Sequence, residues 1–145
     1  MTVFSDGTKE SLHGHNYQVS LKIRLEQQSD GALIPFGFFK DVLRELCGAW
    51  DERVLVARNC KFLNVNREEA GEIEFVLCGR RYVLPQDEVV WLDCENVTSE
   101  ALAEIFTRKL VDKFSTALDL VQGVEIKIEE TLGQGASFSW PWGDE

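Results

Sequence analysis

Apolar and polar side chains alternate strictly over ten residues near the start of the chain, from Tyr17 to Glu26. A period of two is the pattern of a β-strand with one buried and one solvent-facing side. The apolar side of this predicted strand comprises Tyr17, Val19, Leu21, Ile23 and Leu25. Extending the same phase backward places His13 and His15 on the buried side, with Gly14 between them.

These two histidines are the only ones in the sequence, and they form a candidate metal site. Two neutral imidazoles that converge in an apolar pocket are typical ligands of zinc. The alternative is a pair of hydrogen-bonded histidines at the entrance of a strand. A catalytic zinc ion usually has three protein ligands, so a third ligand is required. Glu10 is close enough in sequence to be that ligand or a catalytic group, and both roles stay open.

The cysteines do not form a recognisable metal motif. Cys47, Cys60, Cys78 and Cys94 are widely scattered, without Cys-x-x-Cys spacing. We expect all four to be reduced and to act as small buried apolar residues.

Length and charge limit the class of protein. The chain has 145 residues and is 44% hydrophobic, which predicts a single domain over residues 1–145. A net charge of −10 argues against a nucleic-acid partner, because phosphate contacts need a basic surface. No apolar run approaches the roughly 20 residues that span a membrane, and no signal peptide is recognisable. We therefore expect a cytoplasmic protein.

The remaining pattern mixes helices and strands. We predict a turn at 27–31, a returning strand at 32–34, and an amphipathic helix from Phe36 to positions 48–51. A second β region follows, with a hairpin at 73–84 and a short apolar run at 89–92.

The last third of the chain carries a buried acid. Thr98 is a predicted N-cap of a helix whose apolar stripe runs to Leu118, and a last strand is predicted at 136–140. In the strand at 124–130 the even positions face inward, which includes Glu130. A buried carboxylate needs a partner, either a structural ion pair or a ligand with N–H donors such as an amino-pyrimidine edge.

Five elements in order resemble the 6-pyruvoyltetrahydropterin synthase and 6-carboxytetrahydropterin synthase superfamily. They are His13-Gly14-His15-Asn16-Tyr17, Phe36-x-x-x-Lys40, Asp51, Thr98-x-Glu100 and Glu130-Thr131. The resemblance implies an α+β tunnelling fold, in which a four-stranded antiparallel sheet with two helices on one face joins copies of itself into a β-barrel. It also implies a homo-oligomer, commonly a hexamer of two trimers, and a pterin substrate, 7,8-dihydroneopterin triphosphate.

The resemblance also implies roles for single residues. His13 and His15 match two of the three zinc histidines of the superfamily, Glu130 matches the pterin anchor, and Thr98 matches a residue near the ring. The superfamily's first zinc histidine lies upstream of this pair, so either the chain start is set too late or a ligand has been lost.

The catalytic positions depart from the usual pattern of the superfamily. Lys9 stands where the usual catalytic cysteine lies, and Glu10 resembles variants that favour release of 6-hydroxymethyl-7,8-dihydropterin over the pyruvoyl product. Asp51-Glu52 replaces an Asp-His pair. The favoured hypothesis is a zinc-dependent lyase that releases triphosphate, with Glu10, Asp51 and Glu52 as catalytic residues.

Two other hypotheses remain. One is a catalytically degenerate pterin-binding protein, and the other is a related enzyme for a different pterin or purine-like substrate. For Asp51 and Glu52 the alternative role is a helix-end pair that contacts Arg53, which we favour slightly for Glu52.

Overall fold

A computed structural model of the chain describes residues 1–26, 36–114 and 121–140. Within these residues the strands are β1 (Gln18–Leu25), β2 (Val54–Ala57), β3 (Leu63–Glu69), β4 (Glu72–Leu77), β5 (Arg80–Pro85), β6 (Val89–Leu92), β7 (Val121–Thr131) and β8 (Gln134–Trp140). The helices are α1 (Phe36–Gly48) and α2 (Ser99–Lys113), with a short 3₁₀ turn at Gln86–Glu88.

The main sheet is antiparallel and has the order β1-β7-β8 over the described residues. The alternation predicted for β1 is confirmed, although its apolar side is only half-buried. On β7 the predicted inward positions Val124, Ile126 and Ile128 are fully buried. The predicted turn at 27–31 and the returning strand at 32–34, which would be the fourth strand, lie outside the described residues.

Both predicted helices are present. Helix α1 begins at Phe36 and ends at Gly48, as the pattern indicates. Thr98 is the N-cap of α2, where its hydroxyl accepts a hydrogen bond from the N–H of Ala101 at 3.3 Å. The predicted stripe of α2 extends to Leu118, which lies outside the described residues.

The core forms between the helices and the apolar face of the main sheet. Helix α2 packs against β7 and β8, and α1 packs against α2. Aromatic rings join the two helices, because Phe39 contacts Phe114 edge-on at 5.0 Å and Trp50 contacts Phe106 edge-on at 5.3 Å between centroids. The predicted α+β class is confirmed.

A second β region lies between the two helices in the sequence. Strands β2 and β6 pair in parallel, and β3, β4 and β5 form an antiparallel sheet. The predicted hairpin is β4–β5, and its two-residue turn has Cys78 and Gly79 at φ values of 50° and 73°. Two positive φ values in a tight hairpin match the right-handed twist of the strands.

Strands β2 and β3 were not predicted. Val54–Ala57 is four apolar residues long, which is too short to distinguish a strand from a helix by period. All of β3 after Leu63 is exposed, and its apolar–polar alternation covers only residues 63–66 before three charged residues, so its pairing with β4 defines it.

The expectation that every cysteine is buried is wrong for three of them. All four are free thiols, but only Cys60 is buried, and Cys47, Cys78 and Cys94 are half-buried. These three are only half-buried because they lie at the ends of elements: Cys47 in the last turn of α1, Cys78 in a hairpin turn and Cys94 in the segment after β6. Among the described helices, none is long and apolar enough to cross a membrane.

Candidate active site

The N-terminal segment places Glu10 beside the histidine pair. Val3 and Lys9 form an antiparallel bridge, and the N–H of Glu10 donates to the carbonyl of Thr2 at 3.1 Å. The Asn96 side chain accepts from the N–H of Val3 at 2.8 Å and donates to its carbonyl at 2.9 Å. These bonds fix the segment that carries Glu10 against the loop before α2.

Glu10, His13 and His15 converge at one point. Each offers a ligand atom within 4.8 Å of the other two. The imidazole centroids are 4.4 Å apart, with the rings tilted by 53°. A Cβ added at Gly14, between the histidines, would meet no atom within 4 Å. The predicted closeness of the two histidines is therefore confirmed, and Glu10 lies beside them.

The prediction that His13 and His15 are buried is wrong. Both residues are exposed in the chain, and 31% of the His15 side chain is accessible. Strand β1 begins only at Gln18, so the period of two does not extend back to the histidines. Their rings therefore converge in a solvent-accessible loop instead of under the sheet.

A backbone hydrogen bond fixes the orientation of the His13 ring. The Nδ1 atom lies 2.7 Å from the carbonyl oxygen of Ser11. Because a carbonyl oxygen can only accept, Nδ1 carries the proton in this contact. The Nε2 atom of neutral His13 then has a free lone pair, which is the state that a metal ligand requires.

The end of β7 places Glu130 near this pair. The register of β7 against β8 shifts between Glu129 and Thr131, so Glu130 has no paired residue on β8. Such an extra residue turns the side chain locally, and bulges of this kind are common next to active sites. Glu130 is half-buried, as a residue at the end of a buried face should be.

Three side chains from two parts of the chain surround the Glu130 carboxylate. The Tyr17 hydroxyl and the Ser99 hydroxyl each donate to Oε1 at 3.4 Å. On the other oxygen, Oε2, the Nδ1 atom of His15 lies 3.9 Å away. Among the described residues, no lysine or arginine pairs with this carboxylate. The structure therefore does not support the alternative of a structural ion pair with a permanent cation.

This environment changes the ionisation of Tyr17. Burial raises the pKa of the Tyr17 phenol, and the negative charge and hydrogen bond of Glu130 add to it, so the pKa is about 12. Tyr17 is therefore a neutral hydrogen-bond donor to Glu130 across the physiological range of pH.

Ser99 and Tyr17 were not predicted as site residues. The Thr98 hydroxyl caps α2, while the hydroxyl of Ser99, one residue later, reaches Glu130. The role of Thr98 near a ligand ring stays a prediction. Ser99 carries no distinguishing signal in the sequence, because its contact with Glu130 spans 31 positions and depends on the packing of α2 against β7.

A cavity of about 820 Å³ lies between the histidine segment and the end of α1. Its floor is apolar and includes Val97, Leu102, Phe106 and Ile128. Its walls bring together four of the predicted site residues, namely His13, His15, Asp51 and Glu52. Glu10, Thr98 and Glu130 are not part of the cavity wall, although Glu10 and Glu130 adjoin the histidines that are.

Asp51 and Glu52 lie in the turn that follows α1. The N–H of Asp51 donates to the carbonyl of Cys47 at 3.0 Å. Glu52 has a left-handed backbone with φ of 54°, which is uncommon for residues other than glycine and occurs at helix ends and functional sites. Within the described part of the chain, no ion pair joins either carboxylate to Arg53, and the alternative role as a helix-end pair that contacts Arg53 stays a prediction.

The donor set of Glu10, His13 and His15 fits a metal ion. Two imidazole nitrogens and one carboxylate oxygen are a known ligand combination for catalytic zinc. The exposure of the pair leaves space for a substrate or a water molecule at a further position. The group is therefore chemically suited to a metal with an open coordination site.

Comparisons with known proteins extend over nearly the whole chain. The model of the family described as 6-pyruvoyl tetrahydropterin synthase matches residues 2–140. A Methanocaldococcus jannaschii protein named "Putative 6-carboxy-5,6,7,8-tetrahydropterin synthase" is 25% identical over 138 residues, which cover 94% of this chain and 84% of that protein.

Solved structures share the fold. The crystal structure of 6-pyruvoyl tetrahydropterin synthase from Plasmodium vivax has a TM-score of 0.84 at 24% identity, covering 96% of this chain and 87% of that one. A variant of the same protein, in which a catalytic glutamate is replaced by alanine, has a TM-score of 0.85 at 24% identity, covering 96% and 86%.

Proposed function

The chain belongs to the 6-pyruvoyl tetrahydropterin synthase family, and from that premise we propose that it is a zinc-dependent carbon–oxygen lyase. The proposed substrate is 7,8-dihydroneopterin triphosphate, which loses triphosphate. The product is 6-pyruvoyltetrahydropterin, or 6-hydroxymethyl-7,8-dihydropterin when the bond between the first and second side-chain carbons is also cleaved and the two terminal carbons leave. The observation that carries the proposal is the meeting of Glu10, His13 and His15 beside the Glu130 carboxylate.

Glu130 is the proposed anchor of the pterin ring. Its carboxylate is half-buried, accepts hydrogen bonds from the Tyr17 and Ser99 hydroxyls, lies 3.9 Å from His15, and pairs with no lysine or arginine among the described residues. A partly desolvated carboxylate gains free energy from further N–H donors. The amino-pyrimidine edge of a pterin supplies two parallel N–H groups, which match the two oxygens of a carboxylate.

The histidines are the proposed metal ligands. His13 and His15 would hold zinc, and zinc bound there would lower the pKa of the substrate's side-chain hydroxyls. His13 is already held by Ser11 with its Nε2 atom free. Glu10 supplies the third ligand atom or moves a proton beside the metal.

Glu10 is the proposed proton carrier at the substrate side chain. It lies within 4.8 Å of the imidazole donors, where a substrate hydroxyl would be placed. A glutamate is a catalytic residue of the Plasmodium vivax relative, which supports this role. In an acid–base role it would take a proton from the side-chain hydroxyl.

Asp51 and Glu52 are proposed to assist from the same cavity. Both are exposed, and both line the cavity that His13 and His15 line. A carboxylic acid there can give a proton to the leaving oxygen as triphosphate departs. Asp51 matches the aspartate of the superfamily's Asp-His pair, whereas Glu52 takes the place of its histidine.

The test is turnover by the zinc-loaded protein. We expect release of triphosphate and a new pterin when dihydroneopterin triphosphate is added, with both products followed by chromatography. Glu10→Gln should lower the rate about 10²- to 10⁴-fold, and replacement of both histidines by alanine should abolish zinc binding and turnover. Glu68→Gln, on the exposed strand β3, is the matched control and should leave the rate unchanged.

The outcomes separate the hypotheses. Pterin binding without release of triphosphate would identify a pterin-binding protein without this activity. Unchanged turnover after replacement of both histidines would contradict the proposed metal site.

A further inference from the structure

We infer that Glu130 has a second role, which is to position the metal ligand His15. The inference rests on the proposed function, because it requires a metal at His13 and His15. It goes beyond that function by making one carboxylate serve both the pterin ring and the metal site.

The geometry of the carboxylate supports this assignment. The Oε2 atom of Glu130 lies 3.9 Å from Nδ1 of His15, within reach of an ion pair but longer than a hydrogen bond. The opposite oxygen is held by the hydroxyls of Tyr17 and Ser99. Oε2 is therefore the oxygen that remains directed at the imidazole. The two side chains are similarly accessible, at 31% for His15 and 30% for Glu130.

The other histidine already has a hydrogen-bonded partner of this kind. His13 donates its Nδ1 proton to the carbonyl of Ser11 at 2.7 Å. A histidine that binds a metal almost always donates its second N–H to a carbonyl or a carboxylate, which fixes the ring and makes it a better ligand. Ser11 is this partner of His13 at hydrogen-bond distance, and Glu130, at 3.9 Å from Nδ1, would take the same role for His15 after a small approach. Both histidines then offer Nε2 to the metal.

Because the pterin and His15 would share one carboxylate, pterin binding and zinc binding are linked. The N–H groups of a pterin and the N–H of His15 are donors to the same two oxygens. A ligand that changes the position of Glu130 therefore also changes the orientation of His15. Such coupling is reciprocal, because each ligand must alter the affinity of the other by the same factor.

The first test measures zinc affinity in the absence of any pterin, by competition with a chromophoric chelator. We expect Glu130→Gln to weaken zinc binding about 10- to 100-fold. The matched control is Glu129→Gln on the same strand, where the carboxylate pairs with Lys127 at 2.8 Å and has no contact with the histidines. Its zinc affinity should equal that of the parent.

The results distinguish this inference from the function on which it rests. A parent protein without zinc affinity would contradict the metal site itself. Equal zinc affinities of the parent and Glu130→Gln would overturn only the positioning role of Glu130.

A second measurement needs no variant and so does not depend on how Glu130→Gln folds. Long-range ¹H–¹⁵N correlation spectra of the zinc-loaded parent report which ring nitrogen carries a proton. We expect His15 to bind zinc through Nε2 and to keep its proton on Nδ1. Zinc bound to Nδ1 of His15 would overturn the inference, because that nitrogen could not then face Glu130.

Discussion

At the scale of single residues, the site is organised around the carboxylate of Glu130. Its neighbours come from two segments, His15 and Tyr17 from the segment before β1 and Ser99 from the start of α2, and these segments meet only in the fold. The two hydroxyls donate to one carboxylate oxygen, and no lysine or arginine among the described residues pairs with the other, so the carboxylate can accept further donors from a ligand. The pKa of Tyr17 depends on this arrangement, because the charge of Glu130 and its hydrogen bond to Tyr17 are two of the causes that raise it.

The Tyr17 phenol should therefore ionise at a pKa of about 12. The difference in ultraviolet absorbance between the parent and Tyr17→Phe isolates this titration. Glu130→Gln should lower the pKa but not restore it fully, because burial is the largest cause and remains. Since the folded pKa lies above the unfolded value of 10.0, the Tyr17 contribution to stability is complete below pH 10 and is lost as the pH rises towards 12. Ionisation near pH 10 in protein that is still folded would contradict this environment.

Part of this site could be predicted from the sequence. Glu130 could be placed because Val124, Ile126 and Ile128 set the phase of its own strand. The same argument failed for the burial of His13 and His15, because it was extended past the end of β1. Ser99 could not be found, since no local pattern encodes a contact between a helix start and a strand end.

At the scale of elements, the β7–β8 hairpin holds Glu130 in place. Gly135 faces Glu129 across the hairpin, and a Cβ at Gly135 would collide with the carbonyl oxygen of Ile128 and approach Cα of Glu129 to 2.8 Å. These are backbone atoms that cannot move without disturbing β7. A side chain at position 135 is therefore incompatible with the observed pairing.

Gly135→Ala should destabilise the protein by about 1–3 kcal/mol, the typical cost of overpacking. Thermal or urea unfolding measures this cost. Gly48→Ala is the control, because a Cβ there meets no atom within 4 Å and alanine is the better helix former. Equal stability of Gly135→Ala and the parent would contradict the close approach of the two strands.

The elements with a strong hydrophobic periodicity could be predicted from the sequence, and the others could not. Helices α1 and α2 and strands β1 and β7 each carry an apolar stripe that matches their geometry. Strand β3 is exposed after its first residue, and it exists because β4 supplies its backbone partners. Such a strand depends on pairing with another strand, which its own sequence does not indicate.

At the scale of the whole molecule, the main sheet has an open edge within the described residues. Strand β8 pairs only with β7 there. Leu132, at the tip of the β7–β8 hairpin, is 98% exposed. Unpaired edge strands are usually covered in natural proteins, and a second copy of the chain is one means of covering them.

We therefore expect a homo-oligomer with a multiple of three subunits, most simply the hexamer that the family resemblance implies. Light scattering at micromolar concentration should give a mass three or six times that of the 16.5 kDa chain. A mass of one chain under these conditions would contradict the prediction.

The most direct test of the central claim, that Glu130 anchors a pterin beside the histidine pair, is calorimetric titration with 7,8-dihydrobiopterin. Glu130→Gln keeps the shape of the side chain but replaces one acceptor oxygen with a donor that faces the donors of the ring. We predict a loss of about 2–4 kcal/mol, or roughly thirty- to a thousand-fold in affinity, while Glu129→Gln binds like the parent. If Glu130→Gln binds the pterin as tightly as the parent does, Glu130 is not the anchor and the account is wrong.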